Sequence, residues 1–271
     1  MKVLIAIPAR FASTRYPGKP LVTLRGPDGD KTLIRRSWEA AMAVRGAARV
    51  VVATDDDRIA THARSFGAEV VITASTCRNG TERCAEVAGK RPGHDLIINL
   101  QGDTPLTPPW FVEDLMAAMS GDDPPAMATP VLRCDGRALA GLMAYRRAGT
   151  VGGTTAVFAA DRTALYFSKE VIPHTATLPE PDALTAVFHH VGVYAYRPDA
   201  LHRYVGWPPG RLELLEGLEQ LRFLENGQPV RCVEVDARGR RFWELNTPSD
   251  VPVIEEILAA AGPDQDDLVR P

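Results

Sequence analysis

Short apolar runs alternate along the first hundred residues with segments in which apolar positions recur every three or four residues. Lys2–Ile7 is almost continuously apolar and predicts a buried central strand, ended by Pro8. Leu33, Trp38, Ala41 and Met42 have helical spacing within Thr32–Arg45, with Thr32 as an N-cap and Gly46 suited to the helix end. Val50–Ala53 predicts a second strand, Asp57–Phe66 a helix closed by Gly67, and Glu69–Ile72 a third strand. A helix over Asn79–Lys90 and a fourth strand over Asp95–Leu100 follow, while Arg25–Lys31 reads as a surface turn. Strand and helix alternating in this way predict right-handed βαβ units and a largely parallel sheet.

The pattern loosens afterwards. A helix is expected from about Trp110 to Met119, a strand over Ala126–Leu132, β structure over Val187–Tyr196 and a strand over Val230–Val235. Leu212–Glu225 predicts one amphipathic helix closed at Gly227, and Ser249–Ala261 a last helix with Pro252 in its first turn. Cys134–Thr155 gives no clear period. No linker divides the chain. The expectation is one α/β domain over 1–262, Rossmann-like, with a mostly parallel mixed sheet flanked by helices and a small inserted β-rich lobe. Residues 263–271 read as a loose polar tail.

Composition narrows the class. With 45% hydrophobic and 24% charged residues over 271 positions, the chain is that of a soluble globular protein. A net charge of −3 gives no nucleic-acid or membrane surface, so an anionic ligand must be met by local cations. No apolar run reaches the roughly 18 residues a membrane span needs. The N-terminus enters a core strand with no signal peptide, and Cys77, Cys84, Cys134 and Cys232 form neither a CxxC pair nor a zinc spacing. Reduced thiols and a cytoplasmic location are the reading.

The chemistry gathers at strand ends. After the first strand come Pro8 and Ala9, then Arg10, Ser13, Thr14, Arg15 and Lys19 in a loop of small and basic residues. Such a loop suits a phosphate, because backbone N–H groups can approach the anion and the cations neutralise it. The dinucleotide fingerprint G-x-G-x-x-G is absent here, against an NAD-type enzyme. Gln101-Gly102-Asp103 ends the fourth strand, at the edge where open α/β sheets bind ligands. Asp103 there is placed either to hold Mg²⁺, which takes one or two carboxylates plus phosphate oxygens, or to cap the next turn. Asp55-Asp56-Asp57 contains a formal D-x-D but sits at a helix start and reads as capping charge.

The stretch Pro8–Leu21, PARFASTRYPGKPL, closely resembles the N-terminal signature of the CMP-Kdo synthetases, the 3-deoxy-manno-octulosonate cytidylyltransferases. Thr54-Asp55-Asp56 resembles that family's ATDD, Asn79–Arg83 its SGTER and Gln101–Pro105 its QGDEP, with Thr104 in place of Glu. Farther on, Leu165–Lys169 resembles LYFSR, His190–Tyr194 resembles HLGIY, and Leu212–Arg222 resembles the PLE…LEQLR helix. The resemblance spans about residues 2 to 258. It implies a nucleotidyltransferase whose part up to about residue 125 mainly binds CTP and whose part over about 126–235 mainly binds the acceptor and forms a homodimer. It implies that Arg10, Arg15, Lys19 and Asp103 are catalytic. Pro8, Ala9, Ser13, Thr14, Thr54, Asp55, Asn79, Gly80, Thr81, Arg83, Gln101 and Gly102 would contact the nucleotide with them. Gln101, Gly152, Gly153, Lys169, His190, Glu216 and Gln220 would contact the acceptor, and Asp103 with Asn246 would hold Mg²⁺.

Departures from the family cluster in the acceptor half. VDTPEDL becomes Leu245–Val251, so a metal-binding Asp is Asn246 here. The LYFSR arginine is Lys169, which lacks the bidentate fork, and NPN-x-VK becomes Thr150–Thr155, whose backbone offers a small-anion nest. Those departures, with an Ala-, Arg-, Gly- and Pro-rich composition, favour a smaller acidic acceptor such as phosphonoformate, with Kdo as the alternative. His190 reads equally as a core histidine, and the Glu-rich helix with Glu213, Glu216 and Glu219 equally as a solvated face with Gln220 on it. Asn246 also leaves open a nucleotide-binding protein without catalysis.

Overall fold

The computed structural model describes residues 1–13, 16–121, 124–151 and 153–261. The fold is α/β, a mixed central sheet flanked by helices. Its contacts divide it into two compact units: Lys2–Trp110 with the segment beginning at Ala237, and Phe111–Asp236 with Met1.

The first unit contains a parallel sheet in the order β5-β4-β1-β6. Its strands are β1 (Val3–Ala9), β4 (Ala47–Thr54), β5 (Glu69–Ile72) and β6 (Leu96–Leu100), with α1 (Leu33–Met42), α2 (Asp57–Ser65) and α3 (Gly80–Lys90) between them. A small hairpin of β2 (Thr23–Leu24) and β3 (Lys31–Thr32) forms where the sequence suggested only a turn. β1 runs through Pro8 instead of ending there, pairing Pro8 with Ala53 of β4. Proline is tolerated because pairing with β6 stops at Ala6–Asn99, so Pro8 has a strand neighbour on one side only. Asp56 caps α2 by accepting from the N–H groups of Arg58 and Ile59, and Asn79 caps α3 by accepting from Glu82. The hydrogen bond from Arg58 chiefly holds the Asp56 carboxyl below the usual carboxylate range. The last helix, α9 (Asp250–Ala261), also belongs to this unit, and Ile254 packs with Leu24, Leu33 and Leu245.

The second unit is built on β7 (Met127–Asp135). β12 (Val230–Val235) runs parallel along one edge of β7, and the antiparallel strands β11 (Val193–Tyr196) and β10 (Leu184–His190) share the other. β8 (Thr154–Phe158) and β9 (Ala164–Ser168) extend the sheet from β10. α4 (Pro109–Ala118) leads into the unit, and the unreadable stretch after Cys134 contains α5 (Gly136–Arg147), which Asp135 caps through the Ala138 N–H. Then α6 (Pro198–Gly206) follows β11.

The expected single helix over Leu212–Glu225 is two: α7 (Arg211–Glu216) and α8 (Leu221–Glu225). Gly217, at φ 63°, ends the first in the left-handed conformation. A buried ion pair ties the halves together, with Glu213 Oε1 and Oε2 accepting from Arg222 Nη2 and Nε at 2.6 and 2.7 Å. Glu213 is therefore not on a solvated face. Arg222 lies over the Tyr204 ring, 4.0 Å from its centroid, and Phe223 stacks on the same ring. Glu225 returns from α8 to accept from the N–H groups of Leu212 and Glu213 at the start of α7.

Arg222 is 1% exposed, so removing its counter-charge strands a buried cation. Glu213→Gln is expected to cost about 3–5 kcal/mol of stability in chemical denaturation, the range for breaking one partner from a buried pair. A cost below about 1 kcal/mol would show that water reaches the guanidinium.

Candidate active site

In the first unit, parallel pairing brings the C-terminal ends of β1 and β6 side by side. Gly102 makes the approach close. A Cβ there would stand 2.7 Å from the Pro8 carbonyl oxygen, so no larger residue fits without moving backbone. The Gly102 carbonyl accepts from Ser37 Oγ at 3.1 Å, anchoring the turn to α1. Asp103 thereby meets the basic loop: its Oδ2 is 2.7 Å from Lys19 Nζ, with the side chains 25% and 13% exposed. Lys19 starts a short 3-10 turn, Lys19–Leu21. Ala9 is buried at the strand end and Arg10 is exposed, while Ser13 Oγ accepts from the Tyr16 N–H at 3.3 Å. Thr14 and Arg15 lie outside the described residues.

Thr104, standing where the resembled family has Glu, is buried and donates to the Gln101 carbonyl at 2.8 Å. The Asp103 carbonyl accepts from the Leu245 N–H at 3.0 Å, which brings Asn246 to the same edge. Asp250, which sequence reasoning passed over, shapes that turn. It accepts from the N–H groups of Asn246 and Thr247, from Thr247 Oγ1 and from Trp243 Nε1. Burial pushes the Asp250 carboxyl up, but these hydrogen bonds outweigh it and hold the group below its ordinary range. The spacing of Asp250 ahead of an apolar helical run was the available signal.

Nucleotide-contact candidates at the ends of β4 and α3 prove tightly engaged. Arg83 is buried, its Nη2 3.1 Å from Asp55 Oδ1 and its Nη1 bonded to Thr73 Oγ1. It braces the ends of β4 and β5 rather than reaching out from the helix. Thr54 and Thr81 are fully buried. Asn79 is committed as the α3 cap, beside Gly80 at its first position. Asp56 is the α2 cap and Asp57 lies in its first turn, as the capping reading expects, whereas Asp55 is a partner of Arg83 instead.

In the second unit, the acceptor candidates form two clusters. His190 is buried, with Nε2 2.9 Å from Thr129 Oγ1 and its ring against Phe167 and Tyr194. Because the Thr129 hydroxyl donates to the Val193 carbonyl at 2.8 Å, the network assigns the His190 proton to Nε2. Tyr194 donates at 3.3 Å to Oε1 of Gln220, which is 1% exposed and whose Nε2 has no hydrogen-bond partner. Glu216 stands apart, accepting from Ser168 Oγ at 2.8 Å and the Lys169 N–H at 2.9 Å. The break at Gly217 explains why Glu216 and Gln220 do not share a helix face. Gly153 is packed, not an open nest: a Cβ would come within 2.7 Å of His189 Nε2. Gly152 lies outside the described residues.

Comparison with known proteins decides the family. A cytidylyltransferase family model matches residues 4–230. The chain belongs to the cytidylyltransferase family. It is 43% identical over 263 residues to a 3-deoxy-manno-octulosonate cytidylyltransferase of Maricaulis maris, covering 97% of this chain and 99% of that one. A Syntrophotalea carbinolica protein of the same name is 41% identical over 95% of this chain and 99% of its own length. A solved CMP:2-keto-3-deoxy-manno-octonic acid synthetase complexed with CTP superposes with a TM-score of 0.81 at 33% identity, covering 97% of this chain and all of that one. The inositol-1-phosphate CTP transferase of T. maritima, at 12% identity and a TM-score of 0.60, shares the fold alone. This cytidylyltransferase is thus a nucleotidyltransferase.

His190, which is buried, and His189 beside it, which is half-buried, make its stability pH-dependent. Burial pushes His190 down to about 3 and His189 to about 4, from 6.5. A depressed pKa means the unfolded chain binds more protons, so this contribution is complete above pH 6.5 and is lost as pH falls towards 3. Unfolding stability is expected to drop by about 1.4 kcal/mol per pH unit for His190 alone below pH 6. Denaturation at pH 7 and pH 5 should show a shallower slope for His190→Gln. An equal slope would mean that His190 takes up its proton while folded.

Proposed function

We propose that this cytidylyltransferase is a CMP-Kdo synthetase, transferring CMP from CTP to Kdo with release of pyrophosphate. The observation that carries the reading is similarity over nearly the whole chain, at up to 43% identity in the comparisons above, to enzymes named for that reaction. The solved relative complexed with CTP supports CTP as donor. The phosphonate acceptor favoured by the sequence finds no support in these relatives, and the Kdo alternative replaces it.

The residues suit the chemistry. An acceptor oxygen attacks the α-phosphorus in line, the bond to pyrophosphate breaks, and the main demand on the protein is positioning and charge neutralisation. Arg10, Arg15 and Lys19 would bind the triphosphate and stabilise the departing pyrophosphate. Among the described residues no group of three or more His, Cys, Asp or Glu could hold a metal by itself. That fits Mg²⁺, which takes one or two protein oxygens and completes its shell with phosphates and water. Asp103 and the Asn246 amide oxygen would hold it, and Mg²⁺ when bound supplies neutralisation of phosphate charge. Lys19 keeps the Asp103 carboxylate aimed at the phosphate-binding edge. In the second unit, the unpartnered Gln220 Nε2 and the Tyr194–His190 network supply polar contacts for a sugar acid, and Lys169 a cation. The arrangement of Lys19, Asp103 and Gly102 at one strand edge favours catalysis over binding alone.

Asp103→Asn should lower turnover by at least about a hundredfold, the scale for deleting a principal electrostatic stabiliser, with thermal unfolding little changed. Near-normal rates with Mg²⁺ would remove Asp103 from the site. Acceptor identity is read by pyrophosphate release from CTP with Kdo, its 8-amino analogue, sialic acid and phosphonoformate. Kdo is expected to be the best, and Asn246→Asp to retain it while tightening the requirement for Mg²⁺. Preference for phosphonoformate would overturn the Kdo assignment, and no turnover with any acceptor would favour the binding-protein reading.

A further inference from the structure

Beside the proposed triphosphate loop is a residue to which neither the motifs nor the proposed reaction gives a role. Arg58, on the first turn of α2, makes a bidentate fork with the helix cap, Nε to Asp56 Oδ1 at 3.0 Å and Nη2 to Oδ2 at 2.6 Å. The fork orients the guanidinium plane. It lies over the ring of Phe11, with Cζ 3.3 Å from the centroid. The distal edge of the same ring abuts Gly18: a Cβ built there would be 3.1 Å from Phe11 Cζ and 3.2 Å from Cε2. Gly18, at φ 72°, also donates its N–H to the Phe11 carbonyl at 3.0 Å. Phe11 and Gly18 therefore meet through both ring and backbone, and Lys19 follows directly after Gly18. The ring in turn is covered by a cation whose orientation is fixed from α2.

We propose that Arg58 is a positioning residue for the nucleotide triphosphate, acting through Phe11 and Gly18 to hold Lys19 beside Asp103. The inference rests on the CTP-dependent reading above and names how that site is preorganised. Because the cap Asp56 both starts α2 and aims Arg58, the position of Phe11 is referred to the β4–α2 junction. The arginine side chain is 60% exposed, so its replacement leaves no buried group unpaired. A planar guanidinium forks to Asp56 and stacks flat on the ring at once, a combination a lysine ammonium, with no planar fork, does not offer.

Calorimetric titration of the full chain with CTP and with CMP, in Mg²⁺, tests this. In Arg58→Ala the dissociation constant for CTP should rise about three- to tenfold, the scale of an exposed cation–π contact together with its ordered loop, while CMP binding changes less than twofold. Arg58→Lys should resemble Arg58→Ala. Phe11→Leu should produce a similar loss, and the double variant Phe11→Leu/Arg58→Ala no more than either alone. Parental CTP affinity in Arg58→Lys would show that charge at a distance suffices, and overturns the proposal. So would equal losses for CTP and CMP, additive losses in the double variant, or unaltered affinity in Arg58→Ala. If the parent itself binds no CTP, it is the cytidylyltransferase reading that fails, not the clamp.

Discussion

Two parallel strands brought to within a glycine's width of one another are the constraint behind the first unit's chemistry. Gly102 lies where a side chain would collide with the Pro8 carbonyl, so the end of β6 can settle against the end of β1. That contact puts an anionic turn beside a cationic loop, and the Lys19–Asp103 pair at 2.7 Å is its electrostatic expression. The pair gives each charge a partner at an edge where both side chains are largely withdrawn from water.

Around that edge, several residues whose types suggest ligand contact hold the edge in shape. Arg83 spends its guanidinium on Asp55 and Thr73, joining the ends of neighbouring strands. Asn79 and Asp56 satisfy helix N-termini, and Asp250 gathers the turn that contains Asn246. Such a frame is expected where chemistry depends on positioning, since a catalytic group set loosely on a loop loses the benefit of orientation. Arg58 and Phe11 extend the same logic to the basic loop.

The second unit solves a different problem, keeping polar groups inside a β-rich core. His190 stays neutral because burial disfavours its charged form and Thr129 offers it a neutral partner. Glu213 and Arg222 are buried as a forked pair. Gln220 keeps a buried donor, Nε2, without a hydrogen-bond partner.

By itself the sequence determined the strand–helix alternation of the first unit, because buried parallel strands need continuous apolar runs and their helices need a recurring apolar face. Glu69–Ile72 and Val230–Val235 appear where their periodicity puts them, and the loop and QGD signatures were legible as local chemistry. Local pattern could not show that one left-handed glycine would divide Leu212–Glu225, since its period continues through Gly217. Nor could it show that Pro8 would remain in a strand, which depends on where the neighbour β6 stops pairing. Only tertiary structure decided which charges meet. Lys19 reaches Asp103 across 84 positions, Arg83 turns to Asp55, and Arg58 covers Phe11, because spatial proximity and not sequence distance sets an ion pair or a ring contact.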